Sequence, residues 1–249
     1  GDGTRGRHIA IRRLSLSDFR NYAALRLDFE PGPVVLTGAN GAGKTNLLEA
    51  ISFLVPGRAL RGAPLERVCR LGQTRWAVAA RVEWPGGEAQ IGTGYTLGET
   101  GRSVRIDQES VRSTSALGEI VRALWLTPAM DGLFTGPPAD RRRFLDRLVL
   151  TADPAHATRV SEFEKAMRQR NRLLEARSPD RRWLDGVEAQ MAAAATAVAA
   201  ARAEVIERLR LHLDARADTV FPTPLLDLQG TLETDIASRP AIEVEQDYA

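Results

Sequence analysis

Among 249 residues there is one cysteine, Cys69, so no internal disulfide can form and a reducing compartment is expected. Lysine is almost as scarce: Lys44 and Lys165 are the only two, and arginine supplies the rest of the 34 basic side chains. No apolar run is long enough to cross a bilayer, and no charged-then-apolar leader is present. Neither a membrane span nor a signal peptide is read, and a cytoplasmic protein with no membrane partner is expected. Net charge is only +2, so the molecule is not a polycation and a nucleic-acid partner has to be argued from local arginines. The hydrophobic fraction, 43%, is ordinary for a globular chain of a length that buries one large core or two modest ones.

What is present centres on one stretch. The apolar run Val34-Val35-Leu36-Thr37 is followed by Gly38-Ala39-Asn40-Gly41-Ala42-Gly43-Lys44-Thr45, in the pattern G-x-x-x-x-G-K-T. Leu47, Leu48, Ile51, Leu54 and Val55 then recur at helical spacing. This predicts strand, phosphate loop, helix. Gly38, Gly41 and Gly43 open backbone torsions that a Cβ forbids, so successive N–H groups can turn inward on a triphosphate. Lys44 would reach the β- and γ-phosphates and Thr45 would offer its hydroxyl to Mg²⁺, while the helix start aims its positive end at the same oxygens. ATP and Mg²⁺ are the expected cofactors. A dinucleotide fold fits less well: Gly41 and Gly43 would want a further glycine at Asn46, and Gly92-Thr93-Gly94 is followed by Leu97.

Around this stretch, Ile9, Ile11, Leu14 and Leu16 read as a strand entering Asp18-Phe19-Arg20-Asn21-Tyr22, and Leu25, Leu27 and Phe29 as its antiparallel partner. Trp76 to Trp84 and Ala89 to Tyr95 read as a hairpin turned by Pro85-Gly86-Gly87, with a third strand near Ser103 to Ile106. Short helices follow from Ser113, with a strand expected at Ala123 to Leu126. A helix starts at Thr135-Gly136-Pro137-Pro138-Ala139-Asp140 with proline in its first turn, a second runs from Asp153-Pro154 to about Arg177, and a third from Arg181 to about Arg216, past a breaker at Ser178-Pro179-Asp180. The last two form an antiparallel hairpin whose alanine run, Met191 to Ala201, permits close approach. Leu225 to Leu232 is expected as a strand, and the polar end as irregular chain.

Asp18-Phe19-Arg20-Asn21-Tyr22, the loop with Asn46-Leu47-Leu48-Glu49-Ala50-Ile51 behind it, and Arg141-Arg142-Arg143-Phe144-Leu145-Asp146-Arg147-Leu148 together closely resemble the RecF proteins of bacterial recombinational repair. These are ABC-type ATPases related to the Rad50 and SMC heads, and the likeness runs from about residue 9 to 235. The resemblance implies an α/β fold, a P-loop ABC-type ATPase head. An ATP-binding lobe with a mixed β-sheet would span residues 8–112, and a second helical lobe carrying an antiparallel helix hairpin residues 113–249. It implies ATP-dependent homodimerisation, binding to single-strand gaps and junctions in DNA, and partnership with RecR and RecO in loading the RecA recombinase during repair and replication restart. Nucleotide contacts carry over to Gly38 through Thr45 and, by position, to Arg20 and Asn21. Arg20 is equally readable as a surface turn arginine. Arg58 and Arg61 fall where such heads carry an arginine loop near ATP or DNA, against the alternative of a solvated loop. Arg141 could face DNA, although Arg142 stands four residues before Asp146 and could pair along the helix, which favours a structural role for the cluster.

ABC-type hydrolysis also needs an apolar strand ending in Asp-Glu and a signature segment with a Ser-Gly core. The nearest candidate for the first is Leu225-Leu226-Asp227-Leu228, Ser-Gly does not occur, and no glutamine lies between Leu126 and Gly132. His8, His156 and His212 fall in the wrong places for a switch histidine. An N-terminal portion of such a head, without appreciable hydrolysis of its own, is therefore expected. Other readings of the loop are another SMC- or Rad50-like head, for which the arms are too short, or a small-molecule kinase, to which the alanine-rich hairpin is unsuited.

Overall fold

The strictest alternation in the sequence becomes the sheet. In the computed structural model, which describes residues 9–175, 180–215 and 222–248, strands β1 (Ala10–Phe19), β2 (Tyr22–Asp28), β3 (Arg75–Trp84), β4 (Gly87–Thr96), β5 (Ser103–Ile106) and β6 (Glu109–Val111) lie in the order β2-β1-β3-β4-β5-β6. Every pairing is antiparallel. One face carries Leu14 and Leu16, Trp76, Val78, Ala80 and Val82, then Ala89, Ile91 and Tyr95, all buried. The same core takes Leu47 and Ala50 from helix α1 (Lys44–Ser52), and Phe53, Leu54 and Val55 just beyond it. Phe19, Phe53 and Trp76 interlock at its centre, with Phe19 edge-on to both at ring-centroid distances of 5.9 and 5.6 Å. Trp76 satisfies its indole N–H on Leu65 O at 2.9 Å, in the 3₁₀ turn Leu65–Val68. A short helix, α2 (Leu117–Ile120), buries Leu117 in the same core.

Two compact units divide the chain, Gly1–Trp125 and Leu126–Ala249. The second is helical: α3 (Pro138–Leu150), α4 (His156–Leu174), α5 (Arg181–Asp214), α6 (Thr231–Ser238) and α7 (Ala241–Tyr248). Asp180 caps α5 by accepting from Trp183 N at 3.2 Å. Arg170, late in α4, pairs with Glu188, early in α5, at 2.7 Å, as an antiparallel hairpin requires. Ala192, Ala194, Ala195 and Ala199 are buried along α5, where their size lets neighbouring helices come close. The unit's polar anchor is Asp146 of α3, which accepts two bonds from Arg202 (2.9 and 3.0 Å) and lies 2.8 Å from His156 Nε2. Burial alone would raise its carboxyl, but the bonds from His156 and Arg202 outweigh it and hold Asp146 below the ordinary aspartate range.

Four expectations need correction. Val34 to Thr37 does not form a strand: Val34 and Val35 are 54% and 83% exposed, because no described strand lies alongside to complete a ladder. Ala123 to Leu126 is likewise irregular. Residues 225–229 are irregular and α6 follows, since Arg210 occupies the Leu226 carbonyl (2.6 and 2.8 Å) that a strand would need for pairing. The polar end is α7, started at Pro240, held by Arg239 on Asp247 at 2.7 Å and seated by the buried Val244. Strand β6 was not anticipated. The expected helix ends at Arg177 and Arg216, the breaker Ser178-Pro179, and His8 lie outside the described residues.

Candidate nucleotide site

The glycines at the end of the Val34 run do what their backbone freedom allows. Gly38, Gly41 and Gly43 have φ of 144°, 84° and 102°, and Gly43 is the N-cap of α1. Leu47 N bonds to Gly43 O at 3.1 Å, closing the first helical turn. The N–H groups of Lys44, Thr45 and Asn46 precede that bond and have no acceptor within the helix, and no side chain caps the helix start. Amide donors and the helix dipole thus face the loop together. Lys44 Nζ donates to Gly38 O at 2.6 Å and Ala39 O at 2.8 Å, so the ammonium crosses the loop and holds it closed. Ala39 O also accepts from Ala42 N at 3.2 Å. Asn40, Gly41, Ala42 and Thr45 are exposed.

Gly43 is constrained twice. Besides its positive φ, a Cβ there would overlap Tyr22 Oη and lie 3.0 Å from Asn21 Nδ2. The β1–β2 turn is therefore pressed against the loop. Asn21 Oδ1 accepts from Asn46 Nδ2 at 2.7 Å, which places Asn21 beside the start of α1. Arg20 is placed otherwise. Its Nε and Nη2 donate to Glu49 at 2.8 and 2.6 Å, and its Nη1 to Arg67 O at 2.7 Å, so the guanidinium is engaged by Glu49 and the 3₁₀ turn rather than turned to the loop. Arg61 Nη1 reaches both Asn46 Oδ1 (2.8 Å) and Glu49 Oε2 (3.0 Å), which makes Arg61 part of the loop's surroundings. Arg58 is exposed on the same connection.

Arg141 lies in the helical unit and donates to Gly136 O at 2.8 Å and Phe134 O at 3.3 Å, bracing the turn before α3. The expected Arg142–Asp146 pair gives way to a different one: Asp146 is held by Arg202 and His156, and Arg142 is exposed. Asp227 is bonded by Arg210 at 3.3 Å in irregular chain, in keeping with its failure to match a catalytic strand.

Two residues escaped the sequence reading. Glu49 is wholly buried, and the signal for it was a carboxylate inside the apolar side of the helix, with arginines at 20 and 61 to receive it. Arg102 crosses from the turn before β5 to the other end of α1. It donates to Phe53 O, to Val55 O at 2.7 Å and to Gly57 O at 3.4 Å, with its guanidinium 5.5 Å from the Phe53 ring centroid. Burial pushes its pKa down to about 10. Nothing in the spacing pointed to it.

A glycine loop at an uncapped helix start under an antiparallel sheet, in a chain whose second unit carries a helix hairpin, defines a P-loop head of the ABC ATPase class. The chain belongs to the RecF/RecN/SMC N-terminal domain family, which it matches over residues 10–202. It is 53% identical over 242 residues to the DNA replication and repair protein RecF of Mesorhizobium japonicum, covering 96% of this chain and 64% of that protein. To the RecF of Rhizobium meliloti it is 50% identical over 244 residues, covering 96% and 65%. The chain thus spans a little under two thirds of these relatives. A solved structure of the recombination mediator protein RecF-ATPrS in the RecFOR pathway superposes with a TM-score of 0.74 at 22% identity, over 83% of this chain and 57% of that one. A RecF-ATP structure gives 0.69 at 22%, over 84% and 58%. The likeness to RecF read from the three motifs is borne out, and so is the ABC-type head fold. Among the described residues no helix is long and apolar enough to cross a membrane.

Proposed function

We propose that this chain binds ATP at Gly38 to Thr45 and is the nucleotide-binding part of an ATP-dependent DNA-binding protein of recombinational repair. The observation that carries the reading is the uncapped start of α1, with Gly43 in the left-handed region and Lys44 crossing the loop. The donor set is amide N–H and ammonium, with no carboxylate among Gly38 to Thr45, which suits a polyphosphate. On binding, Lys44 exchanges the Gly38 and Ala39 carbonyls for phosphate oxygens. Thr45 is the loop's one hydroxyl and would hold Mg²⁺, which supplies charge neutralisation between the phosphates when bound. Asn21 lines the site beside Gly43, and Arg20 acts behind it.

The relatives named as DNA replication and repair proteins support a repair role, which on our reading is exercised at single-strand gaps and junctions, in replication restart and in assisting the RecA recombinase. The RecFOR context of the solved relatives supports RecO and RecR as partners, and the head class supports an ATP-dependent homodimer. Arg58 and Arg61, on one connection beside the loop, are the DNA contacts we favour. Arg141, bracing the turn before α3, is a further candidate. A single thiol at Cys69 suits the cytoplasm. Without an Asp-Glu strand or a Ser-Gly segment in these residues, the chain turns ATP over negligibly.

Calorimetric titration with ATP, with and without Mg²⁺, tests the site: this chain binds and Lys44→Ala does not. Equal affinity in both would remove Lys44, and the loop, from the reading. A gel shift on gapped DNA that neither needs ATP nor weakens with salt would count against the DNA role.

A further inference from the structure

We propose that Glu49 is the positioning residue of the phosphate loop, acting through Arg20 and the β1–β2 turn and touching no nucleotide itself. The inference rests on the loop being an ATP site. Glu49 is wholly buried on a helix whose neighbours Leu47 and Ala50 are core residues, where an apolar side chain would serve packing alone. Its carboxylate instead receives both Nε and Nη2 of Arg20 and, on Oε2, Nη1 of Arg61. Arg20 stands in the left-handed region at φ 55°, and its N–H is bonded to Val68 O at 2.8 Å. Such a backbone persists where its surroundings over-determine it.

The bonds close a ring. Glu49 holds Arg20, the next residue Asn21 accepts from Asn46, Asn46 accepts from Arg61, and Arg61 returns to Glu49. The ring ties Asn46 and Glu49 of α1 to the β1–β2 turn and holds Asn21 and Tyr22 in the space left by the missing Cβ of Gly43. Tyr22 Oη also approaches Ala42 O at 3.5 Å. The loop's inner wall is therefore set by the turn, and the turn's position by Glu49. Two guanidinium groups on one carboxylate also leave a net positive charge behind the loop, the sign a polyphosphate requires.

The test is Mg·ATP affinity in this chain and in Glu49→Gln, Asn21→Ala and the double variant, with near-UV circular dichroism to verify the core. Glu49→Gln keeps the shape and removes the charge. It is expected to weaken ATP about tenfold or more, the effect of giving up a charge-assisted hydrogen bond. Asn21→Ala opens the ring at an exposed position and weakens ATP without unfolding risk. The double variant loses no more than the larger single loss, because both break one ring. Ile91→Val, which loosens the same core at β4, lowers the melting temperature and leaves affinity unchanged. Wild-type affinity in Glu49→Gln, or losses that simply multiply in the double variant, would overturn the positioning role while the loop reading stands. Failure of the unsubstituted chain to bind ATP would overturn both.

Discussion

Replacing Arg102 by methionine tests how much a buried cation contributes at the far end of the phosphate-loop helix. Arg102 is the C-terminal cap of α1, donating to the carbonyls of Phe53 and Val55 and, more weakly, Gly57. Its charge faces the negative end of the helix dipole, and among the described residues no carboxylate partner offsets its desolvation. Bonds from a charged donor are worth roughly 1.5–3 kcal/mol each, so losing the two principal ones costs about 3–6 kcal/mol. Against this, burial presses the guanidinium down to about 10, an opposing cost of about 3 kcal/mol that methionine does not carry. Arg102→Met should therefore destabilise the sheet unit by about 1.5 kcal/mol, the midpoint of a difference that spans about 0–3 kcal/mol. Arg102→Lys keeps the charge but not the fork that reaches several carbonyls, and falls between the two. Urea unfolding followed by tryptophan fluorescence measures this as a lower midpoint at unchanged slope. A methionine variant as stable as the parent would show that the bonds only break even with burial, and that α1 needs no cap.

Gly43→Ala combines a positive φ with overlap on Tyr22, so a loss of at least about 2 kcal/mol is expected together with loss of ATP binding; calorimetry with an unchanged Kd would sink the account. Asp146→Asn takes the anion from the wholly buried His156 and leaves Arg202 only Glu233, at 3.5 Å, and should cost the helical unit about 3 kcal/mol in thermal unfolding; a loss under about 1 kcal/mol would contradict it. The same carboxylate gives a pH dependence. Its folded pKa lies below its unfolded value, so the stabilisation is complete above about pH 4 and is lost as pH falls through the folded pKa. Acid melts of the parent should fall in that window and those of Asp146→Asn should be flatter; parallel curves would refute the assignment.

Where a sequence pattern answers to a local rule, it translated directly. The alternation from Trp76 to Val82, the loop glycines and the alanine run each report a period or torsion set by immediate neighbours, and β3, the loop and α5 sit where expected. Val34 to Thr37 looked like a strand by composition, but a strand exists only with a partner to pair with. Leu225 to Leu232 failed for the opposite reason, a distant arginine having taken the carbonyl. The site divides in the same way. Lys44 was readable because the loop is contiguous, and Asn21 only through the family resemblance, since its partner Asn46 lies 25 residues away. The roles of Arg20, Glu49 and Arg102 depend on pairings across 29 and 49 residues, which spacing does not encode.

The exposed run before the loop has a consequence for affinity. Among the described residues, the main-chain groups of Val34 to Thr37 bond to no other backbone, so the loop's leading limb lacks the anchorage its trailing limb has in α1. Seating that run in a sheet removes about 1–2 kcal/mol of backbone freedom per residue, a cost that a bound nucleotide ordering the limb must otherwise meet. If the loop binds ATP as proposed, strand pairing at Val35 and ATP binding at Lys44 are linked equilibria. Whatever factor one lends the other is returned in full.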